Sequence, residues 1–274
     1  MRIIGLIAGN GIYPETFIRG ARRAGVERVV VAAFHDETKP ELAAMADAIE
    51  WFRVGQLSRM IAFFRGEQVR EAVMAGQIAP KNLFDLRPDF RTLLMLARLK
   101  ERNAESLFGA IGDELAKDGI ALLPATTHLE DKLAREGPIA GPAIKKRRWE
   151  DARHGFRIAK ETSRLDIGQT VVVKNGTVLA VEAFEGTNET VRRGGTLGRG
   201  GATMVKVSKP RQDMRFDVPV IGPDTISNAA ASGVDVVVVE AGKTLILDEE
   251  KVRALCASSK VSVIGVGAAE AGGQ

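Results

Sequence analysis

Residues 2–33 read RIIGLIAGNGIYPETFIRGARRAGVERVVVAA. An apolar run leads into Gly9-Asn10-Gly11, then a segment with apolar residues at helical spacing, then a second apolar run. Near-continuous apolar runs predict strands buried on both faces, and a helix between them predicts parallel pairing. Pro14 suits the first turn of that helix, where its missing N–H costs nothing. The expected elements are strands over 2–8 and 28–33 around a helix over 14–24.

The same alternation continues outward. A weaker strand is expected over 48–53, a helix over 55–64, a strand over 71–75, helices over 89–100 and 104–118, and a short strand over 120–123. Strands separated by helices predict an α/β fold with a doubly wound, Rossmann-like parallel sheet. Residues 137–142, GPIAGP, hold two glycines and two prolines and mark a boundary. The expected organisation is an N-terminal Rossmann-like domain over 1–136, a linker over 137–148 and a mixed α/β C-terminal catalytic domain over 149–274.

In the C-terminal half a helix is expected over 149–162. Asn175-Gly176 is a strong type I′ hairpin signal between strands over 170–174 and 177–184. A helix from Thr187 is expected to stop at Gly194-Gly195, opening a glycine-rich loop over 194–201. A strand over 202–207, a helix from Gly222-Pro223 to Ser232, and strand, helix, strand over 234–240, 248–259 and 261–266 complete the chain.

Composition narrows the functional classes. At 274 residues and 45% hydrophobic, the chain can bury a sizeable core. No run approaches a membrane span, and the N-terminus enters a strand with no signal-peptide pattern. Cys256 is the sole cysteine, which excludes an internal disulfide, fits a reducing cytoplasm and reads as a buried, inert thiol. His35, His128 and His154 are too far apart for a histidine zinc pair, so a metal here is expected to be oxygen-bound magnesium or manganese. The net charge of +4 suits a polyanionic ligand or an anionic membrane surface. With 5% aromatics and no basic stripe, nucleic acid is not an expected partner.

Several clusters can carry chemistry. Gly9, Asn10 and Gly11 leave the first strand where open parallel sheets bind ligands, and glycines there let backbone amides approach a phosphate. Pro14 stands where a dinucleotide fingerprint needs its third glycine. Gly76 and Gln77 with Lys81-Asn82, and Thr126 with Thr127 in the 124–127 loop, are expected at the same edge, and three converging polar loops would form a nucleotide pocket. Each is also compatible with a plain loop.

Residues 164–193, RLDIGQTVVVKNGTVLAVEAFEGTNETVRR, hold the densest set of chemical groups. Acids to hold a metal and arginines to hold phosphate are the parts a phosphoryl-group hydrolase needs. Alternation puts Val178, Ala180, Glu182 and Phe184 on one strand face. Glu182 among apolar neighbours then needs a cation, unless that face is solvated. Glu185 points the other way and joins Glu182 only if the chain bends at Gly186. Arg192 and Arg193 serve equally as favourable charge at a helix C-terminus or as a phosphate clamp. In KPRQDMRFDVP, residues 209–219, Asp217 lies between Phe216 and Val218, which would help desolvate it into a better ligand or base. Lys145 to Arg148 before Trp149 read as a solvated helix face or as a contact to anionic lipid. Leu93, Leu94, Met95 and Leu96 read as core, or as a lipid-facing wall.

Five ordered segments carry a family resemblance: GLIAGNGIYP at 5–14, AGQIAPKNLFDLRPD at 75–89, DIGQ at 166–169, VLAVEAFEGT at 178–187 with the arginine pair, and RFDVPVIGPDT at 215–225. Together they resemble the bacterial UDP-2,3-diacylglucosamine pyrophosphatases of lipid A synthesis, in their non-metallophosphatase form. The resemblance implies magnesium-dependent hydrolysis of UDP-2,3-diacylglucosamine to 2,3-diacylglucosamine 1-phosphate and UMP, by water attack at the α-phosphorus. It also implies two domains with the lipid substrate held between them, at the cytoplasmic face of the inner membrane of a Gram-negative bacterium. The family's essential aspartate falls on Asp217. On this reading Asp217, Glu182 and Glu185 surround a metal, and Gly186 and Thr187 contact substrate. Arg192, Arg193 and Lys209 neutralise the diphosphate, and the N-terminal loops hold part of the nucleotide sugar. Relatives often carry Asp where this chain has Asn188. A homo-oligomer stays open. Two other readings remain: a non-catalytic module binding nucleotide sugar or acyl lipid, and a nicotinamide-dependent oxidoreductase suggested by Asp36 beyond the second strand.

Overall fold

The structure, a computed structural model, describes residues 1–78, 88–101 and 103–267. Lys81 and Asn82 lie outside the described residues. Two compact units form: Met1–Glu130 with Asp213–Asp217, and Asp131–Gln212 with Val218–Gln274.

In the first unit, strands β1 (Ile3–Ala8), β2 (Arg28–Phe34), β3 (Ala48–Phe52), β4 (Glu71–Ala75) and β5 (Ala121–Leu122) form an all-parallel sheet in the order β3-β2-β1-β4-β5. Helices α1 (Tyr13–Arg23), α2 (Leu57–Gly66), α3 (Phe90–Arg98) and α4 (Ala104–Lys117) intervene. The strand order reverses direction at β1, which makes the β1–β4 crevice the topological switch point. The expected α/β alternation is borne out, and Val29, Val30 and Val31 are fully buried because both sheet faces are covered. Leu93 to Leu96 divide: Met95 enters the core, while Leu93 and Leu94 are exposed with Phe90. α3 presents both sides of that apolar run in turn, so it is neither all core nor all wall.

The second unit holds a mixed six-stranded sheet in the order β6-β13-β11-β9-β7-β8. Its strands are β6 (Gly137–Ala140), β7 (Thr170–Lys174), β8 (Thr177–Val181), β9 (Ala202–Lys206), β11 (Val234–Glu240) and β13 (Ser262–Val266). Strands β9, β11 and β13 run parallel, while β6 and β7 pair antiparallel to β13 and β9. A separate pair joins β10 (Val220–Ile221) to β12 (Leu245–Ile246). Successive valines point to opposite faces, so the valine runs feed two cores. Val171, Val173, Val205, Val236 and Val238 pack with Ala152 and Phe156 of α5 (Lys146–Arg164). Val172, Met204, Val237 and Val239 pack on the other face with residues of α6 (Thr187–Gly198), α7 (Pro223–Ala231) and α8 (Glu249–Ser259). Cys256 lies in this second core, and burial pushes its thiol up to about 11, as an inert thiol requires.

The 175–176 hairpin forms as expected. Asn175 and Gly176 both have positive φ, the geometry a type I′ turn demands, and buried Asp151 of α5 accepts both backbone N–H groups. Three expectations are corrected. Residues 137–142 are not free of regular structure, because 137–140 form β6 at the sheet edge, where Pro138 is tolerated. Gly194-Gly195 do not end α6, which runs on to Gly198 and stops at Arg199 in the left-handed region. Those glycines are there for close packing: a Cβ on Gly194 would lie 2.5 Å from the Val172 Cβ, and one on Gly195 would lie 2.0 Å from the Ser232 carbonyl. Finally, β8 ends at Val181 rather than reaching Phe184, which is fully exposed.

Candidate functional site

The N-terminal loops meet each other closely. Gly9 N–H donates to the Ala75 carbonyl, and Asn10 and Gln77 exchange backbone hydrogen bonds of 2.7 and 3.3 Å. A Cβ on Gly9 would lie 2.5 Å from the Gln77 carbonyl, and one on Gly76 would lie 2.6 Å from the Asn10 carbonyl. These glycines therefore let two loops close on one another across the switch point. The Asn10 side chain folds back onto Gly11 N–H, and the Thr127 hydroxyl donates to the Pro124 carbonyl. Thr126 accepts from Leu129 N–H, and the Tyr13 hydroxyl donates to Ala125, its phenol raised above its ordinary value by burial. A cavity of about 250 Å³ opens instead between Gly9, Gly11 and Pro14 on one side and Thr38, Lys39 and Leu42 on the other.

The carboxyl edge of the second sheet is different. Lys206 is the last residue of β9 and pairs in register with Thr170 at the start of β7. Just beyond β8, Glu182 N–H still bonds the Thr170 carbonyl, holding that side chain at the same edge. The chain then turns, with Gly186 N–H donating to Ala183, and enters α6 at Thr187. The Thr187 hydroxyl donates to Glu182 Oε1 at 2.8 Å, receives Lys206 Nζ at 3.0 Å, and lies 3.4 Å from the Thr170 hydroxyl. Glu182 Oε2 is buried with no hydrogen-bond partner. A buried carboxylate oxygen without a donor is costly, and it is the kind of atom a hard cation satisfies.

Glu185 is occupied otherwise. It accepts from Arg193 at 2.6 Å, from the Thr190 hydroxyl and from Ala183 N–H, and the Arg193 guanidinium holds its carboxyl below the usual range. The bend therefore delivers Glu182 to Thr187 and Glu185 to Arg193, and the two acids share no ligand among these bonds. Arg192 pairs with Glu189 on the exposed side of α6, and Arg193 also donates to the Val181 carbonyl. Both arginines are mid-helix, so a C-terminal cap is excluded for them. Lys174 fills that role, donating to the Gly198 and Gly200 carbonyls. Lys209 pairs with Asp166. Arg148 donates to the Gly201 carbonyl and to Asp235 at 3.2 Å, so the basic run is partly spent on local contacts.

Asp217 ends the segment 213–217. Asp213 receives a bidentate Arg215 at 2.7–3.1 Å, which holds its carboxyl below the usual range. The Met214 carbonyl accepts from Ala125, Phe216 packs on Phe108, and Asp217 N–H donates to the Asp213 carbonyl. Asp217 is half-buried at the close of this turn. At the same carboxyl edge of this sheet, Glu240 at the end of β11 accepts Ser208 N–H and Oγ–H at 2.7 Å and Lys160 Nζ at 3.0 and 3.1 Å.

Lys206, Glu240 and Lys160 were not singled out from sequence. The signal for Lys206 and Glu240 was present: each is the charged terminus of an apolar strand, ATMVK for Lys206 and VVVVE for Glu240. Among the described residues no group of three His, Cys, Asp or Glu side chains converges as a metal cage, and no helix is long and apolar enough to cross a membrane.

Comparison with known proteins places the chain in a family. The family model of the LpxI N-terminal domain matches residues 3–132, and that of the LpxI C-terminal domain matches residues 135–264. The chain is similar to the UDP-2,3-diacylglucosamine pyrophosphatase LpxI of Caulobacter vibrioides, with 31% identity over 97% of this chain and 98% of that protein. Among solved structures, the biotin carboxylase subunit of pyruvate carboxylase aligns with a TM-score of 0.28 and 13% identity over 63% of this chain and 35% of its own, too distant to bear on fold or function. Two domain models that together span nearly the whole chain, and a relative aligned end to end, establish that this chain belongs to the LpxI family.

Proposed function

We propose that this protein hydrolyses the diphosphate of UDP-2,3-diacylglucosamine in lipid A synthesis, releasing UMP and 2,3-diacylglucosamine 1-phosphate. Water adds to the α-phosphorus, and the bond from that phosphorus to the bridging oxygen breaks. The observation that carries the reading is the C-terminal edge: a half-buried lysine, a threonine hydroxyl and a carboxylate with one unpartnered buried oxygen, in a member of the LpxI family. Cation and anion side by side suit a ligand that is itself a phosphate with a metal counterion.

Glu182 would hold magnesium through Oε2, since magnesium needs only one or two carboxylates beside water and phosphate oxygens. Such an ion, when bound, neutralises phosphate charge and lowers the pKa of a bound water. Asp217, on which the essential aspartate of the resembled family falls, is assigned as a metal ligand or as the base that takes the proton of the attacking water. Its backbone is fixed by the Asp213 turn and by Phe216 packed on Phe108, which would hold the carboxylate in one orientation. Thr187 orients through Glu182, and Glu185 acts through Arg193 rather than as a ligand.

The test is incubation of the purified protein with the diacylated nucleotide sugar and magnesium. UMP release is expected, and Asp217→Asn should lower its rate by about 10²–10⁴-fold, the usual worth of a positioned acid–base group. Binding without UMP release would instead indicate a non-catalytic module.

A further inference from the structure

Helix α5 separates its side chains into two faces. Asp151, Ala152, Gly155, Phe156, Ala159 and Ser163 are buried. Lys146, Arg153 and Arg157 are exposed on the other side. At 3.6 residues per turn, Arg153 and Arg157 follow Lys146 by about two and three turns, so these cations project along one line. Lys145 and Arg147 extend the exposed charge around the N-terminal end. None of these side chains has a hydrogen bond or ion pair among the described residues. The other cations of the helix are spent within the fold: Arg148 on Gly201 and Asp235, Lys160 on Glu240, and Arg164 on Glu161. Glu150 is exposed on the same face, and one carboxylate does not balance that row. A face kept charged for solubility alone mixes both signs.

The far end of the helix is apolar. Leu165 and Ile167 are 59% and 47% exposed, and the Asp166 carboxylate between them is already paired with Lys209. Ile167 N–H bonds the Thr162 carbonyl, which folds this turn back onto the helix end. The next residue, Gly168, packs so closely on Glu182 that a Cβ there would lie 2.1 Å from the Glu182 carbonyl oxygen. The basic line therefore runs toward an apolar tip that abuts the candidate site.

We propose that this face of α5 is a membrane-docking surface. Lys145, Lys146, Arg147, Arg153 and Arg157 rest on anionic phospholipid headgroups, and Leu165 and Ile167 dip into the acyl boundary. Cations beside exposed apolar side chains match a surface that carries negative charge over hydrocarbon. A nucleic acid would match the charge and leave the apolar tip unused. The inference rests on the hydrolase reading for its purpose, since a diacylated substrate resides in a bilayer and docking sets the Glu182 edge beside it. The docking itself does not depend on that reading.

Co-sedimentation of the full chain with vesicles tests this, comparing phosphatidylglycerol–phosphatidylethanolamine vesicles with neutral phosphatidylcholine vesicles. Binding to the anionic vesicles is expected to be the stronger and to weaken as salt rises. The triple variant Lys146→Gln, Arg153→Gln, Arg157→Gln should weaken it by about 100-fold, since each cation near such a surface contributes about 5-fold. Leu165→Ser with Ile167→Ser should weaken it by about 10-fold and make the remainder more sensitive to salt, because salt does not screen apolar contacts. The triple variant should release UMP at the wild-type rate from detergent-dispersed substrate and more slowly from substrate embedded in anionic vesicles. Wild-type protein that ignores anionic vesicles, or a triple variant that binds them equally well, would overturn the proposal. So would duplex DNA that wild-type protein binds more tightly than the vesicles. Docking that depends on these cations, in a protein that releases no UMP from either form of substrate, would uphold the surface and overturn the hydrolase reading instead.

Discussion

The two sheets end in carboxyl edges of opposite character. In the first unit the switch-point crevice, where a nucleotide site is expected, is bridged by the backbone of Asn10 and Gln77, and the Asn10 and Thr127 side chains each bond within their own loop. In the second unit the edge gathers Lys206, Thr187, Thr170 and Glu182 and leaves a buried carboxylate oxygen without a partner. Glycines show the same contrast. Gly9 and Gly76 admit backbone to backbone, so their smallness serves closure rather than ligand approach. Polar residues at a sheet edge do not make a site; polar groups that the fold leaves unsatisfied are the better guide.

Substitutions can break or sharpen this comparison. The largest structural effect is expected at Glu240. Its removal leaves Lys160 without its carboxylate and Ser208 without an acceptor, so Glu240→Ala should lower unfolding free energy by about 3 kcal/mol, the low end of the range because Lys160 still reaches solvent. Urea denaturation measures it, and a change below experimental scatter would show that this charged cluster is not structural.

Next comes a direct contrast between the edges. Glu182→Gln should slow UMP release by about 10- to 100-fold, as loss of a ligand-orienting group does. Gln77→Ala should leave it within about a factor of two, since Gln77 contributes through its backbone. Equal losses in both would mean that the N-terminal edge also holds the reacting groups.

A smaller effect is expected at Gly9. Gly9→Ala forces apart the Gly9 and Gln77 backbones and should cost about 1 kcal/mol of stability, as modest overpacking does. Loss of hydrolysis at unchanged stability would mean that ligand, not loop, needs that space.

The smallest effect is acid sensitivity in the first unit. Burial raises the pKa of Glu114, but hydrogen bonds from Lys117 and Arg91 outweigh it and carry the carboxyl below its ordinary 4.5. A depressed pKa means the unfolded chain binds more protons, so this contribution is intact above pH 4.5 and is lost as pH falls through the lower folded value. Glu114→Gln should flatten the stability profile below pH 4.5 relative to wild type, and an unchanged slope there would sink the assignment.

Much of the fold was legible locally. The valine runs of β2 and β11, the Asn175-Gly176 turn and the glycine loop after β1 each follow from period, burial and dihedral preference acting over a few residues. The end of α6 was not legible, because Gly194 and Gly195 signal a stop by propensity while their packing against Val172 and Ser232 keeps the helix going. A helix-breaking tendency of about 1 kcal/mol per glycine yields to close packing of that kind.

For the candidate site, the sequence by itself determined the chemical inventory: the acids at 182, 185 and 217, the arginine pair, and the motifs that carry family membership. Only the tertiary structure decided which groups meet. The turn at 183–186 sends Glu182 to Thr187 and Glu185 to Arg193, and strand register sets Lys206 across from Thr170. Hydrogen bonds and ion pairs act over about 3 Å, and Thr187 and Lys206, 19 positions apart, reach that distance only after the sheet has formed.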